Sequence, residues 1–299
     1  MNEQFQPLSI QQKELFARYF STYPQVHCEY NFNTLICWNI PYQYKWALIE
    51  DHLVIWLSGI DVLLMPVGKA LSTGLFHHIS SSFQQEGFSG IFILVDQKPA
   101  ADNPDLRDFF SIKRDRNLAD YIHNSRDLAE LKGRQYQKKR NLINQFEKQY
   151  SEYQVEEMDD NHLEICRKLS EKWCREMDCD QKDFEDEMSA LSTAFRYYHE
   201  LSLKGINICH EDRLVAFSLF SRQNSDMFTM HFEKFDPQVK GAGQIINRES
   251  AKYIVEHFNV PYINREQDLG LEGLRQAKLS YNPAYIYETV QLIPKEQLK

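Results

Sequence analysis

Two side chains and a turn hold the clearest chemical potential in this chain. Alternation along the segment 228–235 puts Phe228, Met230 and Phe232 on one strand face and Thr229, His231 and Glu233 on the other. The strand runs into Gln238-x-x-Gly241-x-Gly243-Gln244, which opens a helix-like run to Phe258. Glycine lets backbone amides approach a ligand closely, and a helix start favours an anion. The amides of Gly241, Ala242, Gly243 and Gln244, beside Gln238, could therefore hold a phosphate or a carboxylate. On the polar face, Glu233 or His231 could take a proton from an amine nucleophile, with Glu233 nearer the turn. The plain alternative is a tight turn that follows a half-solvated strand.

A second polar cluster follows the apolar run at 260–263. Asn264, Arg265 and Asp268 crowd the end of a short strand, where sheets with parallel strands open onto crevices. Arg275 and Lys278 are three residues apart and share a helix face, available to an anion or to nearby acids. Tyr281 could serve as a general acid. The alternative here is a set of surface ion pairs and a capped helix. A third group, Arg134, Lys138, Lys139 and Arg140, interleaves positive charge with Tyr136 on a helix-prone segment. Such a patch could meet nucleic-acid phosphates and stack on a base, which the resemblance described below would make a tRNA acceptor stem, or it could be a solvated helix face.

The elements that must position these residues read as α+β. Short apolar runs at 35–40, 44–49, 52–57 and 61–65 predict an antiparallel meander. A helix over 72–86, a buried strand over 90–96 and a loop over 99–104 follow. After a polar, helix-prone stretch at 131–150, the second half begins near residue 150. There a strand precedes helices over 160–177 and 183–203, the first with a stripe of Leu163, Cys166, Leu169, Trp173 and Met177. Three strands, the glycine turn with its helix, a strand at 260–264, a helix at 271–279 and a last strand over 285–292 complete the order. The halves share this order without a residue-level repeat, which points to tandem domains over 1–148 and 149–299.

A net charge of -9 excludes broad, sequence-independent nucleic-acid binding and leaves only patch-limited contact. No apolar run reaches membrane-spanning length and the first residues lack signal-peptide character, so a cytoplasmic protein is expected. Cys28, Cys37, Cys166, Cys174, Cys179 and Cys209 contain no CxxC pair, and reduced structural thiols are expected. His77-His78 diverge around a helix, and Cys209-His210 point to opposite strand faces. No metal site is therefore expected.

The glycine turn resembles the Gln/Arg-x-x-Gly-x-Gly/Ala loop of the GNAT N-acetyltransferase superfamily, whose amides cradle the pyrophosphate of acetyl-coenzyme A. Asn264-Arg-Glu-Gln-Asp-Leu-Gly270, Gly273-Leu-Arg-Gln-Ala-Lys278-Leu-Ser-Tyr-Asn-Pro283 and Tyr136-Gln-Lys-Lys-Arg-Asn141 resemble the soluble family related to the C-terminal domain of phosphatidylglycerol lysyltransferases. That resemblance covers most of the chain. It implies two tandem GNAT-like domains, each a mixed, mostly antiparallel sheet flanked by helices, as in the Fem-type aminoacyl ligases. The first domain lacks the glycine loop and is expected to be degenerate. The implied activity is transfer of an acyl or aminoacyl group from acyl-coenzyme A or aminoacyl-tRNA to an amine or hydroxyl. Its acceptor would be a small molecule, a lipid or a peptide, and no tightly bound cofactor is expected. The competing reading is a non-catalytic module that binds a nucleotide, a lipid head group or an aminoacylated ligand.

Overall fold

The computed structural model describes residues 2–177 and 180–295. Cys179, and the side chains of Cys174 and Met177, lie outside the described residues. Fourteen strands among the described residues, numbered in chain order, form two seven-stranded sheets. The first sheet contains β1 (Gln6–Pro7), β2 (Tyr44–Ile49), β3 (His52–Leu57), β4 (Val62–Leu64), β5 (Phe92–Asp96), β6 (Phe110–Arg114) and β14 (Thr289–Pro294), in the order β1-β2-β3-β4-β5-β14-β6. The second contains β7 (Asp120–Asn124), β8 (Gln154–Glu157), β9 (Lys204–His210), β10 (Arg213–Asn224), β11 (Met227–Phe235), β12 (Tyr262–Asn264) and β13 (Tyr285–Tyr287), in the order β13-β7-β12-β11-β10-β9-β8.

Each sheet repeats one device. An antiparallel pair leads into a helix, and the next strand returns parallel to the one the helix left. In the first sheet these are β3 and β4, the helix Thr73–Gln85, and β5. In the second they are β10 and β11, the helix Ala242–Phe258, and β12. A parallel return needs such a crossover, because a hairpin cannot make it. The helix starts differ: Ser72 Oγ accepts from the Leu75 amide at 3.2 Å, whereas Gly241 opens the second helix in a left-handed conformation.

The expected strand at 35–40 is corrected: Phe32–Cys37 and Asn39–Tyr42 are helical. A short run that is apolar but for Asn39 reads alike as a buried strand or a buried helix. The cap decides it, since Asn31 Oδ1 accepts from the Asn33 amide at 2.9 Å. The expected loop at 99–104 likewise begins as the helix Gln97–Asp102. The last expected strand is two, β13 and β14, broken at Glu288 and delivered to different sheets.

The compact units do not follow a cut at 148/149. One unit is Met1–Asp120 with Gln267–Leu271 and Tyr287–Lys299; the other is Tyr121–Glu266 with Glu272–Ile286. The reason is apolar burial. Leu128, Leu131, Tyr136, Ile143 and Phe146 join the second unit's core with Ile245, Ile246, Ile254, Phe220, Phe228 and Met230. Each such side chain contributes about 1.5–3 kcal/mol on burial, which binds the stretch 121–148 to that sheet.

Candidate functional site

In the second unit, β11 and β12 pair at Met227/Tyr262, Phe228/Ile263 and Thr229/Asn264. There the ladder stops. β12 ends at Asn264 while β11 continues to Phe235. Past that point side chains cross between the strands. Arg265 Nη2 donates to Glu233 Oε1 at 2.9 Å, and His231 Nδ1 lies 3.5 Å from Glu266 Oε1.

These two pairs lie on opposite faces, which corrects the expected shared face of His231 and Glu233. Leu219 pairs with Phe232 and Phe220 with Met230, so His231 is an extra residue on β11. One inserted residue reverses the alternation beyond it. Glu233 turns toward the helix Ala242–Phe258, where Asn247 Nδ2 donates to its Oε2 at 3.2 Å. Phe235 follows it onto the core of Phe228 and Met230. His231 instead meets Ser221 Oγ through Nε2 at 2.7 Å.

On the helix side the structure gathers a compact polar cluster. Glu233 and Arg265 keep 15% and 13% of their side chains exposed, so the pair is largely screened from water. Tyr281 is buried, and Lys139 Nζ stands 4.1 Å above its ring, with the Arg265 guanidinium at 5.1 Å. Burial pushes the Tyr281 hydroxyl well above its ordinary range. The nearby Arg265 opposes that rise, as does a hydrogen bond with the Gln244 side chain. It therefore stays protonated as a donor. Burial also lowers Lys139, as does Arg265, while Glu233 works the other way. Tyr136 fixes the backbone here by donating to the Tyr281 carbonyl at 3.0 Å.

The glycine turn has its own explanation. Gly241 has φ +87°, and a Cβ there would lie 2.5 Å from the Leu142 carbonyl oxygen and 2.9 Å from Phe146 Cβ. A Cβ on Gly243 would lie 2.9 Å from the Phe235 ring. Protein groups thus fill the space beside both glycines. The Ala242 amide donates to the Val239 carbonyl at 3.1 Å, and the Gln244 amide to that of Gly241 at 3.1 Å. Gln238 points its side chain at Glu176, with its amide on Asp236 at 3.0 Å. Asp236 is anchored in turn by Lys172 and Arg213.

The second expected cluster divides. Arg265 enters the site, while Asn264 is buried and holds the Glu266 amide at 2.7 Å. Asp268 belongs to the other unit, where it accepts from the Gly270 amide and pairs with Arg116 at 3.5 Å. Arg275 is half-buried on the helix Glu272–Leu279. Lys278 is buried with its Nζ 5.8 Å from the Tyr121 ring centre. Between Arg265 and Lys278 lies His123 on β7, which sequence reasoning missed. Burial, then Arg265 and Lys278, lower its pKa from 6.5 to about 3.

The sign of that shift makes a prediction. The unfolded chain binds a proton at His123 below about pH 6.5, whereas the folded chain refuses it until about pH 3. Stability is therefore lost as pH falls through this window, at up to about 1.4 kcal/mol per pH unit. Urea midpoints at pH 7 and pH 5 should converge in His123→Phe relative to the wild-type chain. An equal drop in both would exclude His123 as the cause.

The basic segment also divides. Arg140 Nη1 donates to the carbonyls of Leu131 and Gly133, stapling the bend before the helix Gln137–Gln149. Lys139 turns to Tyr281, leaving Arg134 and Lys138 exposed. Asn247 was also legible only in part: it lies three residues after Gln244 and so shares its helix face. Ser221 and Glu266 carry no local signal, since the bulge and the end of the parallel ladder bring them together.

No helix among the described residues is long and apolar enough to cross a membrane. The family model described as phosphatidylglycerol lysyltransferase, C-terminal, matches residues 20–290. A crystallised conserved protein of unknown function from Bacteroides thetaiotaomicron is 32% identical, covers 97% of this chain and 99% of its own, and superposes with a TM-score of 0.89. L-PGS from Bacillus licheniformis shares 13% identity over 94% of this chain and 91% of its own, at a TM-score of 0.64. A tandem GNAT protein from the clavulanic acid biosynthesis pathway shares 9% over 97% and 98%, at 0.51. Those two are likenesses of fold, and the fold is that of two GNAT-like domains. An uncharacterized protein of Mycoplasmoides gallisepticum is 25% identical over 170 residues, a match that takes in 56% of this chain and 53% of that protein. The chain thus spans about half the length of this curated relative. With its acyltransferase-like fold and a match over nearly its whole length, the chain belongs to the phosphatidylglycerol lysyltransferase C-terminal-domain family.

Proposed function

We propose that the second unit transfers an acyl or aminoacyl group to an amine or hydroxyl acceptor at the place where β11 and β12 part. The observation that carries this reading is the cluster of Glu233, Arg265, Lys139 and Tyr281 at the end of the parallel ladder. Glu233, aimed by Arg265 and Asn247, takes the proton of the attacking amine or hydroxyl. The nucleophile forms a bond to the carbonyl carbon. The C–O or C–S bond to the donor then breaks, and the Tyr281 hydroxyl protonates the leaving oxygen or sulfur. Lys139 and Arg265 offset negative charge that develops on the carbonyl oxygen.

The bonds that the Ala242 and Gln244 amides make to Val239 and Gly241 support aminoacyl-tRNA over acyl-coenzyme A as the donor, because a pyrophosphate cradle needs unused amides. Exposed Arg134 and Lys138 suit the phosphates of an acceptor stem.

Thermal unfolding with coenzyme A, acetyl-coenzyme A and aminoacyl-tRNA tests this. A donor at a hundred times its dissociation constant adds about 2.7 kcal/mol of stability. A rise with aminoacyl-tRNA alone is expected. A rise with coenzyme A alone would reverse the donor assignment, and no rise with any of the three would sink the transferase reading.

A further inference from the structure

The face of the second sheet turned away from the helix Ala242–Phe258 holds a second arrangement of reactive groups. Ser218 and Phe220 mark the helix side of β10: Ser218 Oγ meets Ser250 Oγ of that helix at 2.7 Å, and Phe220 sits in the core beneath it. Ser221, the next residue, points the other way, onto the face that the bulge gives to His231.

We propose that Ser221, His231 and Glu266 form an acyl-serine site that accepts activated esters or thioesters. It rests on the same strand opening as the transferase reading but uses none of Glu233, Arg265, Lys139 or Tyr281. Ser221 Oγ and His231 Nε2 are 2.7 Å apart, and His231 Nδ1 faces Glu266 Oε1 at 3.5 Å. The carboxylate charge 3.5 Å from Nδ1 favours the imidazole proton on that nitrogen. Nε2 is then left as the acceptor, the tautomer needed to draw a proton from a serine.

Three further features support the assignment. Glu266 Oε1 is buried without a hydrogen bond among the described residues, and His231 Nδ1 stands 3.5 Å from it, at the outer limit of hydrogen-bond reach. Glu266 adopts φ +57°, a conformation that a side-chain-bearing residue takes only when its surroundings enforce it. The Asn264 side chain enforces it by holding the Glu266 amide at 2.7 Å. Finally, His231 is the extra residue of the bulge, and bulges are a common means of re-aiming a side chain beside an active site.

The chemistry balances without a cofactor. Ser221 Oγ adds to the carbonyl carbon while His231 Nε2 takes the hydroxyl proton. The C–S or C–O bond breaks, and His231 returns the proton to the departing thiolate or alkoxide, leaving an ester on Ser221. Water or an amine then attacks that ester, loses its proton to His231, and Ser221 leaves with that proton restored. Glu266 acts through His231 and is a positioning residue.

The test uses the intact folded chain with a fluorophosphonate probe and, separately, with p-nitrophenyl acetate. Intact mass should show one adduct per chain, and peptide fragmentation should place it on Ser221. Ser221→Ala should abolish it. Glu266→Gln should slow labelling by at least about tenfold and change its pH profile, because a neutral amide no longer fixes the tautomer, and Glu266→Asp should recover part of the rate. An adduct on another residue, or no adduct on protein that circular dichroism shows to be folded, overturns the proposal. Fragment mapping on the wild-type chain decides the matter even if a variant fails to fold. Labelling uses no coenzyme A or tRNA, so its failure is distinct from failure of the transferase reading.

Discussion

Replacing Gly241 with alanine should destabilise the second unit by about 2–4 kcal/mol. Two costs add. A residue with a Cβ at φ +87° loses about 1 kcal/mol relative to glycine. The Cβ would also press on the Leu142 carbonyl at 2.5 Å and on Phe146 Cβ at 2.9 Å. Backbone cannot swing aside as a side chain can, and overpacking of this kind costs about 1–3 kcal/mol. Urea unfolding measures the loss. Gly273→Ala is the control: nothing lies within 4 Å of its Cβ, and alanine in a helix should gain about 0.5–1 kcal/mol. If Gly241→Ala instead unfolds like the wild-type chain but no longer responds to donor, the glycine exists for a ligand and the packing explanation fails.

Glu233→Gln should slow transfer by about 10²–10⁴-fold, the contribution of a positioned general base. Glutamine keeps one oxygen for Arg265 Nη2 and turns an NH2 toward Asn247, whose amide can flip to accept it, so the shape is kept while the proton acceptor is lost. It also leaves Arg265 without its counter-charge. Removing one partner of a buried pair costs about 3–5 kcal/mol, and the 15% and 13% exposure of these side chains reduces that figure. The rate is therefore compared at a urea-free temperature where both proteins are fully folded. Single-turnover loss of label from aminoacyl-tRNA or from acetyl-coenzyme A to added hydroxylamine gives the measurement. A rate within about threefold of wild type would remove Glu233 from the proton transfer.

Much of the fold was legible because its signals are local. Period-two alternation placed β11, and the glycine turn placed the helix Ala242–Phe258. What escaped is non-local. The run at 35–40 is apolar except for Asn39, so its period carries little information, and the Asn31 cap decides it. β6 and β7 were not foreseen, because their pairing partners are far away in sequence: β14 for the first, β12 for the second. The site shows the same limit. Glu233, Arg265 and Tyr281 could be chosen by chemistry alone. That Glu233 and His231 face opposite ways depends on one bulged residue, which alternation cannot announce. Lys139 read as a surface charge because its helix is polar, yet it lies over the Tyr281 ring.

The place of β14 has a consequence for how the chain is made. Residues 289–294 lie between β5 and β6, pairing with both. Until that strand arrives, the two neighbours expose unpaired edges, which invite association with other chains. The N-terminal unit therefore cannot finish folding as it leaves the ribosome and must wait for residues encoded far downstream. Closing so long a loop costs little extra in free energy, since the entropy grows only with the logarithm of length, but it costs time. Translation past residue 294 becomes the step that commits the first sheet. A stop codon just before β14 would release a chain whose first sheet ends at an open β5 edge, with β6 left without its partner strand.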